Sequence, residues 1–444
     1  MKKVAVIGGG ISGLVAAYSI SKKGHEVVVF EKKAEIGGVM QSYREGDFLV
    51  EKGPNSMMIS SSTVEDFFKE IGLADEILEG NAKAKKRFIL KNGKLNAVPM
   101  SPMSFLKTDL FSFFGKLRLI AEPFIEKGNG KESVAEFVTR RLGSEVLDYA
   151  VNPLVAGVYA GDPKKLSLAH VFPFLNNLEQ EFGSLVKGAF KSRRNKKPGK
   201  IKPRLITLKS GLSTLPNQLE KSLNVKCGVM IKSISEVGET WQVKGNSLDG
   251  DFTNDFDDVV LAAPTPSLAQ IDFSQTLNDA FAELGEIHYA PISVAHIAFK
   301  KKQVFHPLDG YGFLVPEKEQ RRILGCIFTS TLFEGRAPEG TVLLSCFIGG
   351  DRQPKLSALP EDELKELLIK ELGEIIGAMG KPDFFKSFSW TTAIPQYTLG
   401  YEKYVDLIED LTKNNRGLHF TGSYHKGVAV GDCIENGLKL AEVF

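Results

Sequence analysis

The feature that most constrains this chain is a glycine spacing close to its start. A short apolar run at residues 4–7 ends in Gly8-x-Gly10-x-x-Gly13. It passes into residues 12–23, where Leu14, Ala17 and Tyr18 share one side, and a second β-branched run follows at residues 26–30. Short apolar runs bounded by glycine read as buried strands, and the amphipathic stretch between them as a helix. In a strand–turn–helix–strand unit, Gly8 permits the tight turn, Gly10 lets the backbone approach a pyrophosphate, and Gly13 lets the helix lie close to the strand. The helix start then presents free N–H groups to an anion. Glu31 closes the second strand 18 residues beyond Gly13, where a carboxylate accepts hydrogen bonds from a ribose hydroxyl. The glycines alone are a weak signal. With both strands, the helix and the acid they predict a dinucleotide site at Gly8, Gly9, Gly10, Ile11, Ser12, Gly13, Glu31 and Lys32.

Composition removes several alternatives. The 444 residues have room for two or three domains. A net charge of +2 supplies no bulk field for nucleic acid. Cys227, Cys326, Cys346 and Cys433 have no C-x-x-C spacing and no companion histidine cluster. They therefore read as thiols in a reducing compartment, with neither a disulfide framework nor a metal site. The chain opens directly on a strand, without a charged and then apolar leader. No stretch of 18 uncharged apolar residues occurs. A cytoplasmic location is expected.

Two further glycine motifs specify the dinucleotide. Glu31-Lys32 is followed by Gly37-Gly38, an E-K-x-x-x-x-G-G pattern that resembles the amine-oxidase-like flavoproteins and not the nicotinamide dehydrogenases. That resemblance implies FAD. Near the other end, Phe420-Thr421-Gly422 closes a strand and Gly427-Val428-Ala429-Val430-Gly431-Asp432 opens the terminal helix. Such a turn can aim backbone N–H groups at the isoalloxazine edge and stabilise negative charge there; an ordinary glycine-rich helix start is the plainer reading. The expected cofactor set thereby extends to Gly38, Val39, Gly53, Pro54, Asn55, Ser56, Ile231, Gly422, Val428, Ala429 and Val430.

Nearly the whole chain resembles the protoporphyrinogen oxidases, flavoenzymes of late haem synthesis. The resemblance is carried by Gly53-Pro54-Asn55-Ser56, by residues 141–167 (RLGSEVLDYAVNPLVAGVYAGDPKKLS), by residues 394–400 (IPQYTLG) and by residues 424–437 (YHKGVAVGDCIENG). The long middle match is the most specific, because amine oxidases share only the cofactor motifs. The resemblance implies a six-electron oxidation of protoporphyrinogen IX to protoporphyrin IX in three rounds, with dioxygen as acceptor and hydrogen peroxide as product. It places Arg87 on a substrate propionate, for which a planar guanidinium is suited. It sets Leu314 and Ile327 on either side of one tetrapyrrole ring, Phe347 near another, Asn55 beside the substrate and Gly161 on the cavity wall. Read without the family, Arg87 belongs to a basic cluster with Lys83, Lys85 and Lys86, the three apolar residues are strand core, and Asn55 is a turn residue. No His/Asp or Cys/His constellation stands out, so no catalytic base is assigned. One departure is Tyr401-Glu402, where family members commonly have histidine first. Coproporphyrinogen III oxidation is the nearest rival activity; Val428-Ala429-Val430 and the Gly-Pro-Asn-Ser motif favour the protoporphyrinogen branch. An amine oxidase, a carotenoid desaturase and a non-enzymatic flavin or haem carrier are more distant rivals.

Residues 99–123 are apolar with interspersed Lys107, Lys116 and Arg118. They match the family's membrane-facing helical region, and a cationic apolar face suits an interfacial element on the inner face of the cell membrane. A buried helical unit or a homodimer contact would read the same way. Residues 192–204 form a basic run with two prolines, expected to be an exposed linker. The expected architecture combines α/β and α+β parts. A Rossmann-type FAD domain is assembled from residues 1–85, 205–290 and 390–444. A helical, membrane-facing insert covers 86–204, and a mixed substrate sheet covers 291–389.

Overall fold

The computed structural model describes residues 1–192 and 200–444. Its first layer is a five-stranded parallel sheet ordered Asn224–Lys226, Glu26–Phe30, Lys3–Ile7, Asp258–Leu261, Leu418–Phe420. These strands are nearly continuous Val, Ile and Leu because both faces are covered. Val4, Val6, Val27, Val29 and Val260 pack on one side against Leu14, Val15 and Ile434 of the first and last helices. Ala5, Ile7, Val28 and Leu261 pack on the other against Ile234, Trp241 and Val243, which belong to an antiparallel ribbon of three strands, Met230–Val237, Thr240–Ser247 and Gly250–Phe256. The first helix, Ile11–Lys22, and the terminal helix, Val430–Leu440, touch so closely that a Cβ on Gly437 would lie 3.0 Å from Val15. That contact brings the two ends of the chain together.

The second layer is a seven-stranded sheet ordered Phe384–Pro395, Tyr289–Lys300, Thr341–Gly349, Gly325–Ile327, Gly310–Leu314, Lys86–Lys91, Lys94–Ala97. Helix Glu361–Ile376 covers one face through Leu364, Leu368 and Leu372, which meet Phe88, Phe313, Cys326 and Cys346. All four cysteines are free thiols.

Three sequence expectations are corrected. Lys86–Lys91 and Lys94–Ala97 are strands of this sheet and do not begin the helical insert; Phe88 and Leu90 enter its core from one face and Ile89 faces the other. The basic run is only partly a linker. Residues 193–199 lie outside the described residues, but Lys200–Leu208 is a strand between Met57–Ser61 and Ile77–Glu79, and Arg204 is anchored to Glu65 and Glu79 at 2.6 and 2.5 Å. The sequence also predicts one helix over residues 133–149 with a capping start at Ser133; it does start there, with Ser133 and Glu136 forming a capping box, but Val134–Arg141 stops before Gly143, whose φ of +95° leaves the helical region.

The insert consists of short helices, among them Phe113–Ile120, Val134–Arg141, Asn152–Tyr159, Pro173–Phe182 and Leu185–Ser192. A buried ion cluster joins them. Arg141, fully buried, donates to Glu179 and to Glu122 at 2.7 Å each, and Glu122 also accepts from Ser184 Oγ and the Leu185 N–H. Among the described residues no helix is long and apolar enough to cross a membrane.

Candidate cofactor and substrate site

The glycine turn lies at the switch point of the parallel sheet, where the strand order passes from Lys3–Ile7 outward in both directions. Gly8 has a φ of +114°, and a Cβ there would lie 2.8 Å from the Ala263 nitrogen. A Cβ on Gly13 would lie 2.1 Å from the Gly8 carbonyl oxygen, so this position tolerates nothing larger. A Cβ on Gly10 would meet no protein atom within 4 Å, leaving the backbone approachable from outside. Ile11 and Ser12 are buried in the first helical turn.

Glu31 is buried at the end of its strand. Its two oxygens accept from the Gly9 N–H at 2.7 Å and the Lys33 N–H at 2.8 Å. A carboxylate offers about four acceptor positions, so capacity for ribose hydroxyls remains. The Lys32 side chain is exposed. Gly37 N–H donates to the Gly9 carbonyl at 2.8 Å, and a Cβ on Gly38 would come 3.3 Å from Gly10. The second glycine pair therefore lies directly on the first turn. Val39 is partly exposed, and Gly53 packs on it so tightly that a Cβ would lie 2.4 Å from the Val39 carbonyl oxygen. Pro54 and Ser56 are half-buried. Asn55 is buried, with Nδ2 on the Gly53 carbonyl at 3.3 Å and Oδ1 without a partner.

Ile231 is buried against the core of the antiparallel ribbon, two residues beyond Val229, whose N–H donates to the Glu31 carbonyl at 2.9 Å.

At the C-terminal turn, Gly422 and Gly427 have φ of +142° and +118°, and Val428 and Val430 are half-buried while Ala429 is exposed. Tyrosines hold the turn from beneath. Tyr397 donates to the Ser423 carbonyl and accepts from the Gly427 N–H at 2.9 Å. Tyr401 donates to the Tyr424 carbonyl at 2.5 Å, and Tyr424 donates to the Leu261 carbonyl at 2.9 Å. Tyr401, the residue that departs from the usual histidine, is thus a buried support for the turn. Thr421 Oγ1 and His425 Nε2 are buried without partners, and burial, reinforced by Lys426, pushes the His425 imidazole down to about 4. Open backbone at Gly10, spare acceptors on Glu31 and unpartnered polar atoms at Asn55 and Thr421 fit a dinucleotide laid along this edge.

The four proposed substrate side chains come from four adjacent strands of the second sheet. Arg87 pairs with Gly312 and Gly312 with Ile327; Leu314 pairs with Gly325 and Gly325 with Phe347. Laterally paired residues, and residues two apart, share a face. Arg87, Leu314, Ile327 and Phe347 therefore all lie on one face, opposite the helix-covered core. Arg87 is exposed, makes no ion pair among the described residues, and stacks its guanidinium 5.6 Å from the Tyr311 ring. Leu314, Ile327 and Phe347 are each only half-buried.

Gly161 is buried, and a Cβ there would lie 2.2 Å from Gln396 Oε1 and 3.0 Å from Leu166. Gly157, from the same 141–167 motif, is exposed beside Leu314, to which its added Cβ would come within 2.5 Å. Tyr397 also lay within a quoted motif. His296 and Trp390, described below, carried no local signal.

A glycine turn at a parallel-sheet switch point, an acid on the next strand and an adjoining sheet with an open face define an FAD-dependent oxidoreductase. The chain belongs to the flavin containing amine oxidoreductase family, whose model matches residues 11–443. It is 32% identical to the mitochondrial protoporphyrinogen oxidase of Nicotiana tabacum, over 100% of this chain and 94% of the relative. It is 29% identical to the coproporphyrinogen III oxidase of Bacillus subtilis (strain 168), over 98% and 96%. A solved structure from Exiguobacterium sp. 255-15 superposes with a TM-score of 0.83 at 24% identity, covering 100% of this chain and 98% of that one.

Proposed function

We propose that this chain oxidises protoporphyrinogen IX to protoporphyrin IX, with dioxygen as electron acceptor and hydrogen peroxide as product. The observation that carries the reading is the placement of Arg87, Leu314, Ile327 and Phe347 on one sheet face, in two adjacent lateral rows, Arg87 with Ile327 and Leu314 with Phe347. Full-length similarity to protoporphyrinogen oxidases supports it. FAD held at this site would supply two-electron oxidation, three rounds of which remove six electrons. Leu314, Ile327 and Phe347 supply apolar surface for the macrocycle, and Gly157, lacking a Cβ, lets Leu314 pack directly on its backbone. Arg87, lacking an acidic partner, is free to hold a carboxylate bidentately at the rim and fix which edge of the macrocycle enters.

The cofactor contacts follow the same reading. With FAD bound, the Gly8–Gly13 turn would take the pyrophosphate, Glu31 the ribose, and residues 53–56 with 428–430 would hold the isoalloxazine. No side chain is assigned as catalytic base.

Coproporphyrinogen III is the second reading, because relatives with that activity in their names align over almost the whole chain. A tetracarboxylate needs cations at more than one edge, whereas Arg87 provides one. Initial rates of porphyrin fluorescence from the two porphyrinogens in air, corrected for autoxidation and with peroxide measured in parallel, decide between them. Faster turnover of coproporphyrinogen would reverse the assignment.

The insert supports a location on the cytoplasmic face of a membrane. Phe113, Phe114 and Phe124 are 71%, 79% and 88% exposed, with Met103, Leu106, Ile120 and Phe190 also open to solvent, while Lys107, Lys187 and Lys191 lie on the same helices. Apolar side chains among cations suit an anionic headgroup layer. Co-sedimentation with anionic vesicles at low salt, lost in a Phe113→Glu, Phe114→Glu variant, is the expected result. Wild-type protein remaining in the supernatant would remove the membrane from the reading.

A further inference from the structure

Two consecutive backbone carbonyls leading into the 53–56 loop are held by side chains of the seven-stranded sheet. His296 Nε2 lies 2.8 Å from the Glu51 carbonyl oxygen, and Trp390 Nε1 donates to the Lys52 carbonyl at 2.7 Å. A carbonyl only accepts, so His296 carries its proton on Nε2 and leaves Nδ1 as an acceptor. Ser345 Oγ, 2.9 Å away, must donate to that nitrogen, and Ser345 Oγ in turn accepts from Thr329 Oγ1 at 2.6 Å. The donors run one way, from Thr329 through Ser345 and His296 to Glu51. His296 and Ser345 are fully buried, and burial pushes the His296 imidazole down to about 4, which keeps it neutral.

These side chains belong to the open face. Ser345 pairs with Ile327, and His296 with Ser345, so the polar chain continues the row that begins at Arg87 and Ile327. Trp390 pairs with Ile292, two residues before Val294, which is itself paired with Phe347. The Glu51 carboxylate is tied separately to Ser42 at 2.6 Å, to the Leu212 N–H at 3.0 Å and to Arg336 at 3.2 Å.

We propose that His296 and Trp390 are positioning residues, which set the placement of the 53–56 loop relative to the sheet face and so align the flavin with the substrate. The proposal rests on the reading of that face and loop given above. Both act through the carbonyls they hold. Loss of one such anchor displaces the loop on the scale at which misplacement costs rate steeply.

Three variants of the full-length, FAD-loaded protein test this. His296→Gln can return an N–H near the Nε2 position. His296→Asn keeps a polar group near Nδ1 but falls short of Glu51. Trp390→Phe keeps an aromatic side chain of smaller volume and removes the donor. Turnover, KM, FAD content, melting temperature and the midpoint potential of the bound flavin are measured in each. The expected result is a fall in kcat of about tenfold or more in His296→Asn and Trp390→Phe, with FAD content and KM little changed, a shifted flavin potential, and recovery of both readouts in His296→Gln. A drop in melting temperature with kcat per bound FAD and potential at wild-type values in all three would show a purely structural role and overturn the proposal. Should His296→Asn not fold, Trp390→Phe carries the same decision. If wild-type protein oxidises no porphyrinogen, the functional reading fails on its own, and the flavin potentials still decide the positioning claim.

Discussion

Gly13 shows how little freedom the cofactor turn has. With the Gly8 carbonyl oxygen 2.1 Å from the place a Cβ would occupy, Gly13→Ala must push the first helix away from its strand. The expected product is a folded protein purified without FAD, read as the ratio of flavin absorbance to protein. Full flavin occupancy in that variant would mean the helix moves without disturbing the turn. Arg87 has the opposite character, being exposed and without an ion pair among the described residues. Charge-assisted hydrogen bonds contribute about 1.5–3 kcal/mol, so Arg87→Ala should raise KM for the porphyrinogen by about tenfold or more and leave kcat near wild type. An unchanged KM would take Arg87 out of the substrate site. The difference in legibility between these residues is physical. Gly8, Gly13 and Glu31 act within one local unit, so their spacing announced them. Arg87 and Phe347 meet only through strand pairing across some 260 positions, and were found by resemblance. His296 looks like any residue of a buried strand until Glu51 is placed against it.

At the scale of elements, the helical insert depends on buried charge. Arg141 and Glu179 are both fully inaccessible and Glu122 nearly so. Burial alone would raise the Glu122 carboxyl, but hydrogen bonds from Ser184, Leu185, Val186 and Arg141 outweigh it and hold the group below its usual value. Removing one partner of such a cluster leaves unpaired charge in the interior and typically costs about 3–5 kcal/mol. Arg141→Met should therefore loosen residues 113–192 before the sheets, giving early protease cleavage within the insert while flavin stays bound. Cleavage no faster than wild type would show that the apolar contacts suffice. The capping box at Ser133 was readable because both partners lie within one turn. The strands Lys86–Lys91 and Lys94–Ala97 pair with each other through a tight Asn92-Gly93 turn, a local hairpin signal that was passed over; what the sequence does not show is that the first of them joins Gly310–Leu314, more than two hundred residues away.

Over the whole molecule, the parallel sheet holds the cofactor turn and the seven-stranded sheet the proposed substrate face, and His296 bonds the latter to Phe48–Glu51, the strand that leads into the 53–56 loop. That junction makes stability depend on pH in a definite direction. The His296 imidazole is lowered from 6.5 to about 4 by burial, and the bond to the Glu51 carbonyl does not offset this. Between these values the unfolded chain binds a proton that the folded chain refuses, so acidification favours unfolding throughout the window. The stability this histidine contributes is complete above pH 6.5 and falls as the pH drops towards 4, by about 2 kcal/mol at pH 5 for a shift of this size. His425, also lowered to about 4, adds to the trend in wild type but is common to wild type and a His296 variant, so it cancels in their difference. His296→Gln has no titrating group at the junction. Its stability relative to wild type, from urea unfolding followed by flavin release and by circular dichroism, should therefore improve between pH 7.5 and pH 5. A constant difference across that range would mean that His296 takes up its proton as readily in the folded chain as in the unfolded one, and that at pH 5 the one-way order of donors from Thr329 to Glu51 is broken.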